Sequence, residues 1–300
     1  MNVLVILGFA SALLVTKGFI IAYFLNVTDF SMYSIGLLWS QTAAVLLSFG
    51  SITKVQLETI ANLEISDKKL ISNDFSESLS LIIANAVLLI LFSLVVYSTD
   101  TKFIIPSIIG IILGVFQSIF ILFTSLTKSK QHFVFFSIIS AVKAILVISL
   151  VILFGFLLPT YTSLFVAEIL ALAVVAILLL KREFYEDGFS IELKKIKIEW
   201  YKRSFSLFIV GLSSVVFFNF DRFIGFHSLA FEEIATLGFI AIFYGTALMI
   251  QSTINSIIFP YMIKLHLSSG FNVAFKESVI ISLAVFCLFI SLVSSIYYVF

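Results

Sequence analysis

Lys17, Lys143, Glu168, Asp221 and Arg222 stand inside apolar stretches that are otherwise fit to cross a bilayer. On insertion scales a charge at the centre of a membrane helix costs about 2.5 to 3.5 kcal/mol. Such residues therefore mark a polar interior, a buried ion pair or a route for polar cargo. The chemistry they offer is recognition rather than bond making. Arg222 presents a planar fork that can bind two phosphate oxygens at once, and Lys17 adds a second positive charge. Asp221 can hold either cation in place, or bind a coupling proton or sodium ion. Steps of seven put Ser34, Gln41 and Ser48 near one face of a helix and Ser214, Asp221 and Ser228 near one face of another. Tyr244, Gln251 and Asn255 follow at intervals of seven and four. Lys17, Gln41, Asp221, Arg222, Gln251 and Asn255 are thus candidates to line a translocation cavity. Packing between helices, where small hydroxyl residues permit close approach, is the alternative reading of the serines. An ion pair that only stitches helices together is the alternative reading of the charges. Lys143 lies 14 residues before Leu157 and Glu168 11 residues after it. In antiparallel helices that puts them within about 4.5 Å of one depth. The two are expected to pair, as a structural ion pair or as part of a coupling site.

The elements that must position these residues are membrane helices. Of the 300 residues, 61% are hydrophobic and only 12% charged, and 35 are Phe. Continuous apolar runs reach the roughly 20 residues a spanning helix needs. About nine spans are expected, at 3–25, 31–50, 79–97, 103–123, 132–156, 158–180, 204–225, 234–258 and 277–299. Barrel strands would be half as long and would alternate. The connections after the second, fourth, sixth and eighth spans hold fourteen of the 18 Lys and Arg, and the opposite connections hold only Lys102. By the positive-inside rule the N-terminus and the basic connections face the cytoplasm. Residues 1–25 lack a basic leader and a cleavage site and read as a retained first helix. The longest polar stretch divides the chain into a six-helix lobe (1–180), a basic linker (181–203) and a partial second lobe of three helices (204–300). The segment 191–203 mixes Ile and Trp200 with five basic residues and is expected along the membrane surface, near anionic lipid. Residues 54–78 read as a solvated loop.

Several classes of function lack their signatures. Cys287 is the one cysteine, which leaves neither a disulfide framework nor a thiolate cluster. His132, His227 and His266 have no ligand spacing, and no phosphate-cradling glycine loop or G-x-S-x-G occurs. With connections too short to build a catalytic domain, an enzyme is not expected, and neither is a cofactor or metal. The net charge of +1, with no concentrated basic block, does not suggest a nucleic-acid partner.

A faint internal repeat supports a duplicated bundle. Sliding the chain by 204 positions lays Lys17 on Asp221, Tyr33 on Leu237 and Gln41 on Gly245. Residues 30–54, FSMYSIGLLWSQTAAVLLSFGSITK, resemble the second-helix region of the oligosaccharide-lipid flippases of the multidrug/oligosaccharidyl-lipid/polysaccharide exporter superfamily, including its closing Phe49-Gly50. Phe220-Asp221-Arg222-Phe223-Ile224 resembles that family's Asp-Arg near the end of helix seven, with Leu237-Gly238 and Phe259-Pro260 following. The resemblance implies an all-α, MATE-like integral membrane protein of the bacterial cytoplasmic (inner) membrane. Its members usually carry two six-helix bundles, so the chain is expected to stop inside the second. The implied activity is flipping of polyprenyl-diphosphate-linked oligosaccharide repeat units for O-antigen or capsule biosynthesis, beside a polymerase and chain-length machinery. Coupling to H+ or Na+ stays open. A multidrug exporter of the same superfamily, or a truncated chain that transports nothing, are the alternatives.

Overall fold

The computed structural model describes residues 2–63, 68–98, 101–187 and 192–242, together with 245, 265, 272–273, 276–277 and 280. Met1–Thr253 forms one compact unit and Ile254–Phe300 another. Among the described residues the named α-helices are α1 (Asn2–Phe24), α2 (Val27–Ser48), α3 (Ser51–Leu63), α4 (Lys68–Val96), α5 (Ile104–Ser129), α6 (Phe133–Leu157), α7 (Tyr161–Asp187) and α8 (Ile198–Ser228), all in the first unit. A further helical stretch runs over 231–242.

Six of these helices are long and apolar enough to cross a membrane, and they match the first six expected spans. Within α8, Ile198–Phe217 and Asn219–Phe226 are inclined by 59° and together would make a seventh. Of the expected spans at 234–258 and 277–299, only 234–242 and a few isolated positions fall within the described residues.

The core is built around α2. Its start is fixed by Asn26, whose side chain accepts from the Asp29 amide at 2.8 Å and donates to the Asp29 carboxylate at 2.8 Å. These bonds occupy part of the helix end that hydrocarbon would otherwise leave unsatisfied. One face of α2 lies against α5 along small residues. A Cβ on Gly110 would collide with the Gly36 carbonyl oxygen, and one on Gly114 would come 2.7 Å from Ala43 Cβ. The two backbones touch, as helices in lipid do where small residues recur every four positions. Hydroxyls on α2 and α5 bond back within their own helices: Ser34, which faces Gly238 rather than α5, donates to the Phe30 carbonyl, Thr42 to Leu38 and Ser118 to Gly114, all within 2.9 Å. Ser34 and Ser48 are buried and serve packing.

The stretch 54–78 is not a solvated loop. It holds most of α3 and the first turns of α4, because its apolar residues recur at helical spacing. Ile52, Val55 and Ile60 on α3, and Ile71 and Phe75 on α4, are buried. Phe75 packs on Phe123 of α5 with ring centroids 4.9 Å apart. The expected linker 181–203 is likewise helical at both ends, and residues 192–197 between α7 and α8 run without regular structure. This strap is pinned to α4. The Glu192 amide donates to Ser76 Oγ at 3.3 Å, the Lys194 amide to Ser80 Oγ at 2.9 Å and Lys194 Nζ to Asn73 at 2.7 Å.

Between α2 and α3 the chain breaks at Phe49 and Gly50, both left-handed, with φ of 46° and 75°. The break costs Gly50 little, but left-handed geometry costs a bulky residue such as Phe49 about 1 to 2 kcal/mol.

Two outcomes follow. Gly110→Leu would force α5 off α2 and is expected to lower stability by about 1 to 3 kcal/mol, the range for overpacked cores, read as a fall in the thermal midpoint in detergent. On α3, outside the spans, burial pushes the Glu58 carboxyl up to about 7, aided by the hydrogen bond and charge of Asp74 and opposed by Lys54. Between about 4.5 and about 7 the folded chain then keeps a proton that the unfolded chain has released, so stability falls as pH rises through that window. Glu58→Gln is expected to flatten this part of the melting-point profile against pH.

Candidate functional site

Two polar clusters lie at membrane depth, one reached from α2 by Tyr33 and the other by Gln41, eight residues farther along. The first is centred on Glu168 of α7, which is buried. Lys17 Nζ of α1 lies 2.7 Å from Glu168 Oε2, and the Tyr33 hydroxyl of α2 donates to Oε1 at 2.5 Å. Tyr33 is itself held by stacking on Phe165, one turn before Glu168 on α7, with ring centroids 4.7 Å apart. Both carboxylate oxygens thus have a donor, and three helices are joined through one side chain.

The partner expected for Glu168 is Lys143, and the structure puts Lys17 in its place. Depth gives the reason. Lys17 is seven residues from the end of α1, Tyr33 six from the start of α2 and Glu168 seven from the start of α7. All three lie about 10 Å in from the ends opposite the strap. Lys143 lies 14 residues from the end of α6, twice as deep. Its ammonium sits over the Phe120 ring of α5 at 4.3 Å, where the face of the ring offers partial negative charge. In the sequence Tyr33 stands out only through the repeat. Its depth, matching that of Lys17, is the signal that could have singled it out.

The second cluster joins α2 to α8. Residues Ser204, Val215, Asn219, Arg222 and Phe226 are buried at helical spacing, so this stripe of α8 faces protein. Arg222 Nη1 lies 3.3 Å from the Gln41 side-chain oxygen and 3.3 Å from that of Asn219. Its Nε and Nη2, which carry three of the five guanidinium N–H groups, are buried and have no hydrogen-bond partner among the described residues. Gln41, by contrast, is exposed, although its span is the most buried of the six. The register explains how. Val45 meets α8 at Gly211 and Gln41 meets it at Arg222. That is about 6 Å of travel on α2 against about 16 Å on α8. The bend between Phe217 and Asn219 and the reach of the Arg222 side chain take up the difference. Asn219 sits at the bend and donates to the Val215 carbonyl at 3.2 Å, a side-chain bond that competes with the helix ladder. Next to this site Trp39 holds Phe223 edge-on, with centroids 6.1 Å apart.

The remaining expected residues are placed as follows. Asp221 is exposed on another face of α8 and makes no ion pair among the described residues, so it meets neither Lys17 nor a carboxylate clamp for Arg222. Ser214 and Ser228 share its exposed side, bonded back to the Val210 and Ile224 carbonyls. Gln251 and Asn255, with Tyr244, lie outside the described residues. Among the described residues no group of three or more His, Cys, Asp or Glu could hold a metal ion.

No family model and no curated protein matches this chain. Two solved structures do. One is a ligand complex of the MATE multidrug transporter DinF-BH, at TM-score 0.68 and 14% identity, covering 96% of this chain and 70% of that one. The other, named protein A, gives TM-score 0.67 and 15% identity over the same shares. This chain has the fold of a MATE transporter. The expected all-α architecture is the one observed, and α2, which reaches both clusters, is the helix most enclosed by that fold.

The Glu168 cluster is testable by charge balance. Lys17→Met alone would strand a buried carboxylate and is expected to cost about 3 to 5 kcal/mol. The double variant Lys17→Met/Glu168→Gln is expected to recover most of that loss, measured as thermal midpoints of the purified protein.

Proposed function

We propose that this chain is a carrier of the bacterial cytoplasmic membrane that flips polyprenyl-diphosphate-linked oligosaccharides by alternating access. The observation that supports the reading is Arg222. An arginine buried in the seam between α2 and α8, with three N–H groups unsatisfied among the described residues and an exposed amide beside it, is costly unless something anionic completes it. A diphosphate supplies oxygens in the bidentate geometry that a guanidinium matches. Sugar hydroxyls would find donors and acceptors in Gln41 and Asn219. The polyprenyl tail would remain in lipid, so only the head needs a polar path.

In this reading the basic connections and the N-terminus face the cytoplasm, and the six-helix lobe 1–180 carries α2 as its wall of the path. The Glu168 cluster, which ties Lys17 to α2 through Tyr33, is where a coupling proton would act, and Lys143 lies within its electrostatic reach. Catalysis has no part in the cycle, and polymerase and chain-length proteins would use the exported unit.

A second reading is favoured by one observation. Asp221 presents a carboxylate on the exposed side of α8, which would suit a cationic compound, and one of the chains sharing this fold is a multidrug transporter. Binding to the purified protein separates the two. Arg222→Ala is expected to weaken a polyprenyl diphosphate about 10- to 100-fold, the worth of a lost charge-assisted hydrogen bond, while Arg222→Lys keeps part of the affinity. In cells Arg222→Ala is expected to stop export of surface polysaccharide at unchanged protein level. Unaltered diphosphate affinity in Arg222→Ala, with loss of a cationic dye in Asp221→Asn, would establish the drug exporter instead.

A further inference from the structure

Phe49 is an unusual residue to end a helix. The left-handed turn between α2 and α3 suits glycine, and Gly50 stands next to it, yet Phe49 adopts the same geometry at φ 46°. Its ring is what repays the strain. It stacks on Phe208 of α8 with centroids 4.0 Å apart and planes 13° from parallel, and meets Tyr201 edge-on at 4.9 Å. Beside it Gly50 lies against the α8 backbone, where an added Cβ would sit 2.7 Å from both the Phe208 nitrogen and the Ser204 oxygen. The Tyr201 hydroxyl donates to Asn85, which in turn donates to the Leu47 carbonyl at the end of α2. All these contacts lie on the strap side of Gln41 and Arg222. Val45, in contact with Gly211, lies between them and the site.

We propose that Phe49 is the catch of a gate that closes the path between α2 and α8 at the strap end. Held against Phe208 and Tyr201, the ring keeps the two helices together and keeps the α2–α3 break strained. When the first half of α8 moves away, the ring loses its stack and nothing holds Phe49 left-handed. The residue then returns to right-handed geometry and α3 swings relative to α2. Strain in the closed state therefore favours release, and the aromatic contacts oppose it. The purpose of the gate rests on the carrier reading, but its existence is measured without any cargo.

The measurement is maleimide labelling of Val45→Cys in purified protein whose Cys287 is replaced by Ser. With the gate closed, labelling is expected to be slow. Phe208→Ala and Phe49→Ala are each expected to raise the rate at least tenfold, and Phe49→Tyr, which keeps a ring, to leave it low. A second cysteine, Ala171→Cys on the buried face of α7, reports loosening of the whole bundle and is expected to stay slow throughout. An unchanged Val45→Cys rate in Phe208→Ala overturns the gate, and so does a rise that Ala171→Cys shares. Arg222 is intact in every variant, so loss of the gate and loss of diphosphate binding are separate results.

Discussion

Hydrocarbon offers no water to a polar group, so each one at depth must be satisfied by the chain or by a visitor. Glu168 meets that constraint from within: Lys17 and Tyr33 occupy its two oxygens. The serines and threonines of α2 and α5 meet it within their own helices by bonding to preceding carbonyls. Among the described residues Arg222 meets it only in part, through one nitrogen shared between Gln41 and Asn219. Among the described residues the account is closed at Glu168 and open at Arg222, two groups of opposite charge.

One helix connects them. α2 turns Gly36 and Ala43 to α5, Tyr33 to Glu168, and Trp39, Gln41 and Phe49 to α8. A rotation or tilt of α2 would therefore be felt in both clusters. The glycines against α5 make that side a close, hard contact, whereas the side toward α8 is aromatic and bent. On the α8 side most of the contact is between rings, and Arg222 to Gln41 is the hydrogen bond that parting them would break among the described residues.

The fold was legible because a run of twenty apolar residues has few ways to exist, and each of the first six spans was found, although the third begins eight residues before the expected start and the fourth ends six residues beyond the expected end. What the sequence hid was amphipathic or lateral. Residues 54–78 look like a loop because they mix charge with apolar residues, and only helical spacing at Ile52, Val55 and Ile60 reveals α3. Lys143 seemed the natural partner of Glu168 because their helices are consecutive. Yet helices in a membrane pack in two dimensions, and α1 brings Lys17 to the same depth from farther away in the chain. Arg222 was visible as a charge in an apolar run. Its neighbours were not, since they depend on a bend that Asn219 introduces and that no proline announces. Asp221, one residue earlier, reads alike in sequence and ends on the opposite kind of surface, because adjacent helical residues differ by about 100° in direction.

The strap onto α4 has a parity of its own. Two residues of extended chain advance about 6.7 Å, and four residues of helix advance about 6 Å. Amides at 192 and 194 thus match hydroxyls at 76 and 80. The strap therefore meets α4 through alternate amides, and Leu193 between them is left exposed.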